Sequence, residues 1–153
     1  MPRRAVQFWC AIVIVGLLAG VAGAATTLLL LHAIEHATYH YSLGTLLSGV
    51  EGSGHLRRAL GPMLGGALAG LGWWWLRRRR DVPTLGAAIT EAVGTGGPLP
   101  RRALSIDAGL QVLLVGSGAS LGREGAPRQL AASWGDLGTS KLALTARDRD
   151  ILL

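Results

Sequence analysis

The stretch from Phe8 to Leu31, FWCAIVIVGLLAGVAGAATTLLLL, holds 24 residues without a charge. At about 1.5 Å of rise per residue it exceeds a hydrocarbon thickness of roughly 30 Å, so it predicts a membrane-crossing helix with room to tilt. The rival reading is a cleaved signal peptide, with Pro2-Arg3-Arg4 as its basic start and Ala22-Gly23-Ala24 as its cleavage site. The apolar run continues past that point to Leu31, longer than a signal core, which favours a retained span over about 8–37.

Composition points the same way. Half of the 153 residues are hydrophobic, only 5% are aromatic, and 23 are glycine. Collagen would need glycine at every third position, and that period is absent. Glycine and alanine among leucines instead let membrane helices approach closely. The net charge of +6 raises the possibility of nucleic acid. The arginines, however, flank apolar runs in short clusters: Arg3-Arg4, Arg57-Arg58, Arg77 to Arg80 and Arg101-Arg102. No stripe of stacking aromatics accompanies them. The charge is read as topology, with no nucleic-acid partner. Cys10 is the sole cysteine, which excludes an intramolecular disulfide and an all-cysteine metal site. It is expected as a small buried apolar side chain.

Tyr39 to His55 is polar and rich in Gly and Ser, and is read as a loop. The uncharged run Ala59 to Leu76 ends on Trp73-Trp74-Trp75 and then Arg77 to Arg80, the pattern of a cytoplasmic membrane interface. It predicts a second span over about 56–78, with the chain start and the arginine block both inside the cell. A short helix is expected at about 84–94, followed by a Gly/Pro break at Thr95 to Pro100. Ala108 to Gly122 has 15 uncharged residues, short for a lone span. A shortened, glycine-interrupted apolar segment marks a broken helix that ends inside a membrane protein, so broken helices are expected at about 103–118 and 124–140. A further helix, capped by Thr145, begins at about 146 and is soon cut off, the expectation for a fragment.

At the break lies Gly116-Ser117-Gly118-Ala119-Ser120-Leu121-Gly122-Arg123-Glu124-Gly125-Ala126-Pro127. A dinucleotide fingerprint would be spaced G-x-G-x-x-G among alternating strands and helices, and neither condition is met. An anion site suits the segment better. Glycines allow sharp turns and close backbone approach. A helix starting near Arg123 to Pro127 would aim unpaired N–H groups and the positive end of its dipole at one point. Such a point binds an anion without a formal cation. Pro127 fits the first turn, where a missing N–H costs little. The Glu124 carboxylate would sit at the same terminus and could occupy the anion's place, leaving it on taking up a proton. The bland alternative is a surface loop in which Arg123 and Glu124 form a solvated charge pair.

Gly122-Arg123-Glu124-Gly125, with a proline just behind, resembles the G-[KR]-E-G-P motif of the CLC family of chloride channels and proton-coupled chloride exchangers. The likeness covers nearly the whole chain. Two opening helices, a basic end, a short helix pair, the Gly-rich break and the helix start at Thr145 fall in family order. The resemblance implies an all-α, polytopic membrane fold, an inverted-repeat bundle of tilted and broken helices, of which this chain would be the first part. It implies transport rather than an enzyme, with no cofactor and no metal. Chloride or a similar small anion would be carried, with protons as a coupled ion, by a homodimer set in the lipid bilayer, here the plasma (inner) membrane with its N-terminus cytoplasmic. Glu124 would be the gating, proton-linked glutamate. Gly122, Arg123, Glu124 and Gly125 would offer backbone amides to the outer anion site.

Three departures accompany the likeness. Ala126 stands between Gly125 and the proline. The family's earlier anion motif, G-S-G-I-P, should fall near Arg80-Asp81-Val82-Pro83, where only Val82 and Pro83 remain as a remnant and no serine is matched. The later pore motifs, including the inner proton-transfer glutamate and the pore tyrosine, have no counterpart before Leu153. A non-transporting membrane fragment is the alternative.

His32-Ala33-Ile34-Glu35-His36 reads H-x-x-E-H, an inverted zinc-protease pattern. On a helix His32 and His36 share a face, as zinc ligation requires. No downstream carboxylate is placed with them, so these residues are read as polar markers of the outer interface, with a membrane zinc protease as the third alternative.

Overall fold

The computed structural model of the protein describes residues 2–40, 45–79 and 81–141. The helix start expected at Thr145 lies outside them. All regular structure among these residues is helical.

The first helix, α1 (Pro2–Ala25), passes through a wide π turn at Thr26–Leu31 into α2 (His32–Tyr39). Thr26 helps mark the change of register: its hydroxyl donates to the Ala22 carbonyl at 2.6 Å, a back-bond that competes with the regular ladder. Ala5–Tyr39, 35 residues long, is the one run among the described residues that length and hydropathy alone mark as able to cross a membrane; the mean hydropathy over its 18-residue apolar centre is 2.3. Ala11, Val15, Ala22 and Thr26 form its buried stripe, at helical spacing. Cys10 falls outside that stripe and is exposed, which corrects the expectation of a buried thiol.

The segment read as a loop contains a short helix, α3 (Leu46–Gly52). Its signal is a capping box. Thr45 Oγ1 accepts from the Ser48 amide at 3.4 Å, while Ser48 Oγ accepts from the Thr45 amide at 3.1 Å. Then follow α4 (His55–Arg79), α5 (Leu85–Thr95), α6 (Arg101–Gly116) and α7 (Gly125–Lys141). Thr84 caps α5 by accepting from the Ala87 amide, and Gly96 ends it in the left-handed conformation at φ 68°.

Helix α7 lies between α1 and α6, and α6 packs in turn on α4. Neighbours run antiparallel, so Val15 and Leu18 of α1 meet the later part of α7 while Gly23 meets Pro127. Small residues set the spacing. A Cβ on Gly138 would stand 2.9 Å from Leu18 Cδ1, and one on Gly135 would stand 3.3 Å from Val15 Cγ1. Ala108, Val112, Val115 and Ala126 form one apolar cluster between α6 and α7, flanked by Ile34 and Leu130. Ala88, Ala92, Leu99 and Leu104 seat α5 on the opposite end of the same helix pair. The outer faces of α1 and α4 expose Val13, Leu17 and Val21, and Leu64, Leu68 and Leu71. Water disfavours such continuous apolar faces and hydrocarbon does not.

Candidate functional site

The glycine-rich break is held by α2 and α4. Gly116 ends α6 against α2, where a Cβ would come within 2.6 Å of Ile34 Cγ2. Tyr39 Oη donates to the Ser117 carbonyl at 2.9 Å. Gly118 turns the chain at φ 106°, a conformation other residues rarely adopt, and its open side faces Tyr39 Oη and Pro62 of α4. The chain then doubles back through Ala119 to Gly122.

The turn at Arg123 and Glu124 starts α7. The Arg128 amide donates to the Glu124 carbonyl at 3.3 Å, which makes Glu124 the capping residue. Gly125 and Ala126 then supply first-turn N–H groups that precede the helical ladder, and Pro127 has none. This head is recessed. Gly125 packs on Gln111, more than a turn before the end of α6, so α7 begins roughly 7 Å inside that end. Thr26 and Thr27 of the π turn, Gln111, Gly122, Arg123, Ala126 and Pro127 line a half-open cavity of about 10 Å³, room for about one water.

Arg123 and Glu124 do not pair with each other. Arg123 Nη2 lies 2.9 Å from Glu35 Oε1, and Glu124 Oε2 lies 3.6 Å from Arg128 Nη2. Glu35 is therefore not an outer polar marker; it is buried and anchors the turn before α7, because Arg123 supplies a cation at the inner face of α2. His32 and His36 do share a face, with stacked rings 6.2 Å apart, but Glu35 is turned to Arg123. No group of three or more His, Cys, Asp or Glu able to hold a metal occurs among the described residues.

Val82 and Pro83 are half-buried immediately before the Thr84 cap of α5. With Trp73, Arg77, Asp107, Gln111 and Gln129 they line a cleft of about 360 Å³. Sequence reasoning missed Asp107, Gln111 and Gln129. The available signal was an ionisable residue inside an apolar helix, but Asp107 stands just before the uncharged run that drew attention.

The sequence profile described as "Voltage gated chloride channel" matches residues 65–153. The chain belongs to the voltage gated chloride channel family.

Membership makes it a membrane protein, in agreement with the all-α fold. It is 33% identical over 123 residues to the voltage-gated ClC-type chloride channel ClcB of Salmonella typhimurium, covering 78% of this chain and 28% of that protein. Its identity to the Escherichia coli protein of the same name is 37% over 125 residues, again 78% of this chain and 28% of the relative. The Yersinia pestis relative is 35% identical over 101 residues, 65% of this chain and 24% of its own length. The chain thus spans under a third of the relatives it matches. No solved structure matches it.

Proposed function

We propose that this chain supplies the head of α7 to a transmembrane pathway for chloride or a similar small anion, gated by Glu124 and coupled to protons. The observation that carries the reading is the state of the capping residue. Glu124 sits at the amino end of a recessed helix, yet its side chain is 86% exposed and is held by a long 3.6 Å pair to Arg128. A carboxylate there can enter the anion's place beside the Gly122 to Gly125 amides or leave it. Protonation removes its claim on the helix dipole and yields the place to the anion. Drawing the Arg123 guanidinium to Glu35 leaves the backbone to bind the anion, which favours passage over trapping. Val82 and Pro83, at the head of α5, face the same cleft as Gln111 and belong to the same path in this reading.

The rest of the proposal follows from charge and family. Arg77 to Arg79 end α4 beside Trp74 and Trp75, with the Arg78 guanidinium 4.2 Å from the Trp74 ring centroid. Their position supports an inner membrane with a cytoplasmic N-terminus, α1–α2 as a span by length and hydropathy, α4 as a second span by its aromatic and basic end rather than by hydropathy, and α5 to α7 as the broken part of one transmembrane domain. A homodimer is the assembly. The test is chloride efflux from vesicles containing the purified full-length protein, followed with a chloride electrode. Efflux well above that of empty vesicles, rising as pH falls, is the expected result. Efflux equal to empty vesicles at every pH overturns the reading.

A further inference from the structure

Between α4, α6 and α7 lies a polar cluster that the gate does not use. Asp107 accepts hydrogen bonds from Trp73 Nε1 at 2.7 Å, Gln111 Nε2 at 2.8 Å and Gln129 Nε2 at 2.7 Å. Gln111 Nε2 also donates to Gln129 Oε1 at 3.2 Å. A carboxylate offers only acceptors, so both glutamine amides turn their NH2 groups towards it. For Gln111 that choice settles the other end of the amide. Its Oε1 faces α7, so near Gly125 that a Cβ on that residue would collide with it. A neutral oxygen therefore stands beside the first turn of α7, where free N–H groups and the dipole favour an acceptor. Gln111 also borders both the small cavity beneath Gly122 and Arg123 and the cleft beside Val82 and Pro83.

We propose that the Gln111 side-chain oxygen is a built-in competitor for the anion at the head of α7, and that Asp107 is the positioning residue that keeps that oxygen turned to Gly125. The inference rests on the reading of this head as an anion site. The oxygen's partial negative charge beside the helix end opposes an anion that arrives there and so weakens its binding. A permeation site needs such weakness, because an ion held too well does not leave.

Asp107→Asn tests the orientation directly. The Trp73 indole can only donate, so it retains the oxygen of the introduced amide and leaves the NH2 of that amide facing the glutamines. Gln111 then turns its oxygen to that NH2 and presents its own NH2 to the α7 head. Chloride titration calorimetry on the purified full chain, with thermal unfolding in parallel, reads the result. A donor in place of an acceptor is expected to tighten the chloride Kd about tenfold. Gln111→Met, similar in length and without the oxygen, is expected to tighten it about threefold, and adding Asp107→Asn to Gln111→Met should change nothing further. A purely structural Asp107 would lower the melting temperature without tightening chloride binding. The inference is overturned if Asp107→Asn binds no more tightly than wild type, or tightens equally without Gln111. Should Asp107→Asn fail to fold, Gln111→Met binding chloride no more tightly than wild type overturns it as well. Wild-type protein that binds no chloride removes the anion reading and this inference together, whereas wild-type binding with unaltered variants removes the inference alone.

Discussion

Arg123 Nη2 lies 2.9 Å from Glu35 Oε1 and ties the turn that opens α7 to the helix that continues the first span. The pair is lopsided. The Glu35 side chain is 6% exposed and that of Arg123 is 53% exposed. The next residue, Glu124, is 86% exposed. One residue of the turn is anchored and its neighbour is largely in solvent, as the gating role proposed for Glu124 requires.

The two halves of the Arg123–Glu35 pair should therefore differ in what their removal costs. Arg123→Ala leaves a buried carboxylate without this cation and is expected to cost about 3 kcal/mol. Glu35→Gln leaves a half-exposed guanidinium that water can solvate, at about 1 kcal/mol. Thermal unfolding of the two variants in detergent checks the order. A larger loss for Glu35→Gln would mean that burial of the carboxylate is not the controlling cost.

Two glycines of α6 offer a matched comparison. A methyl on Gly116 would meet Ile34 Cγ2 at 2.6 Å and Ile34 Cβ at 2.8 Å, atoms too near the α2 backbone to swing away. Gly116→Ala should cost about 1–3 kcal/mol through overpacking. A methyl on Gly109 meets nothing within 4 Å. Gly109→Ala should be neutral or gain up to about 1 kcal/mol from helix propensity. Unfolding midpoints separate the two, and equal shifts would mean that α2 does not press on the end of α6.

The helical fold was legible because an uncharged run such as Phe8 to Leu31 has few other stable forms, and because Arg77 to Arg79 sort to one end of α4. The π turn was not legible. It arises where Thr26 bonds back to Ala22, and a Thr inside an apolar run usually signals nothing. The helix α3 was overlooked because Gly and Ser masked the Thr45–Ser48 box. At the site, local sequence brought Arg123 and Glu124 together, but their partners come from α2 and from the next turn of α7. The Asp107, Gln111 and Gln129 cluster joins residues on different helices, and no spacing rule within one helix predicts such a meeting.

Asp136 shows how the far end of the α6–α7 pair is fastened. It is fully buried, accepts from the Leu99 amide at 3.2 Å and pairs with Arg101 Nε at 3.1 Å. Asp136→Asn can keep an acceptor for the Leu99 amide and loses the charge beside Arg101, which is 32% exposed. A cost of about 1–2 kcal/mol is expected for it. Asp136→Ala also leaves the Leu99 amide without that acceptor, and about 3 kcal/mol is expected. Urea or thermal melts of both variants test the ranking, and an alanine variant as stable as wild type would show that Asp136 does not hold the start of α6.

Glu124 should behave in the opposite way, with a large effect on transport and almost none on folding. Its ion pair with Arg128 is long, at 3.6 Å, and both side chains are largely in solvent, at 86% and 71% exposed. Such a pair contributes about 0.5 kcal/mol or less, so Glu124→Gln should leave the unfolding midpoint nearly unchanged. Its effect on flux has a definite sign. In the proposed gate a neutral Glu124 carboxyl no longer competes for the α7 amides, so wild-type chloride efflux should rise as pH falls. Glutamine is neutral at every pH. Its efflux should be flat with pH and close to the acid limit of the wild type. Arg128→Ala, which removes the partner and keeps the carboxylate, should preserve the wild-type slope. Efflux from vesicles over a pH series reads all three proteins, and a Glu124→Gln variant that keeps the wild-type pH slope would overturn the gating role.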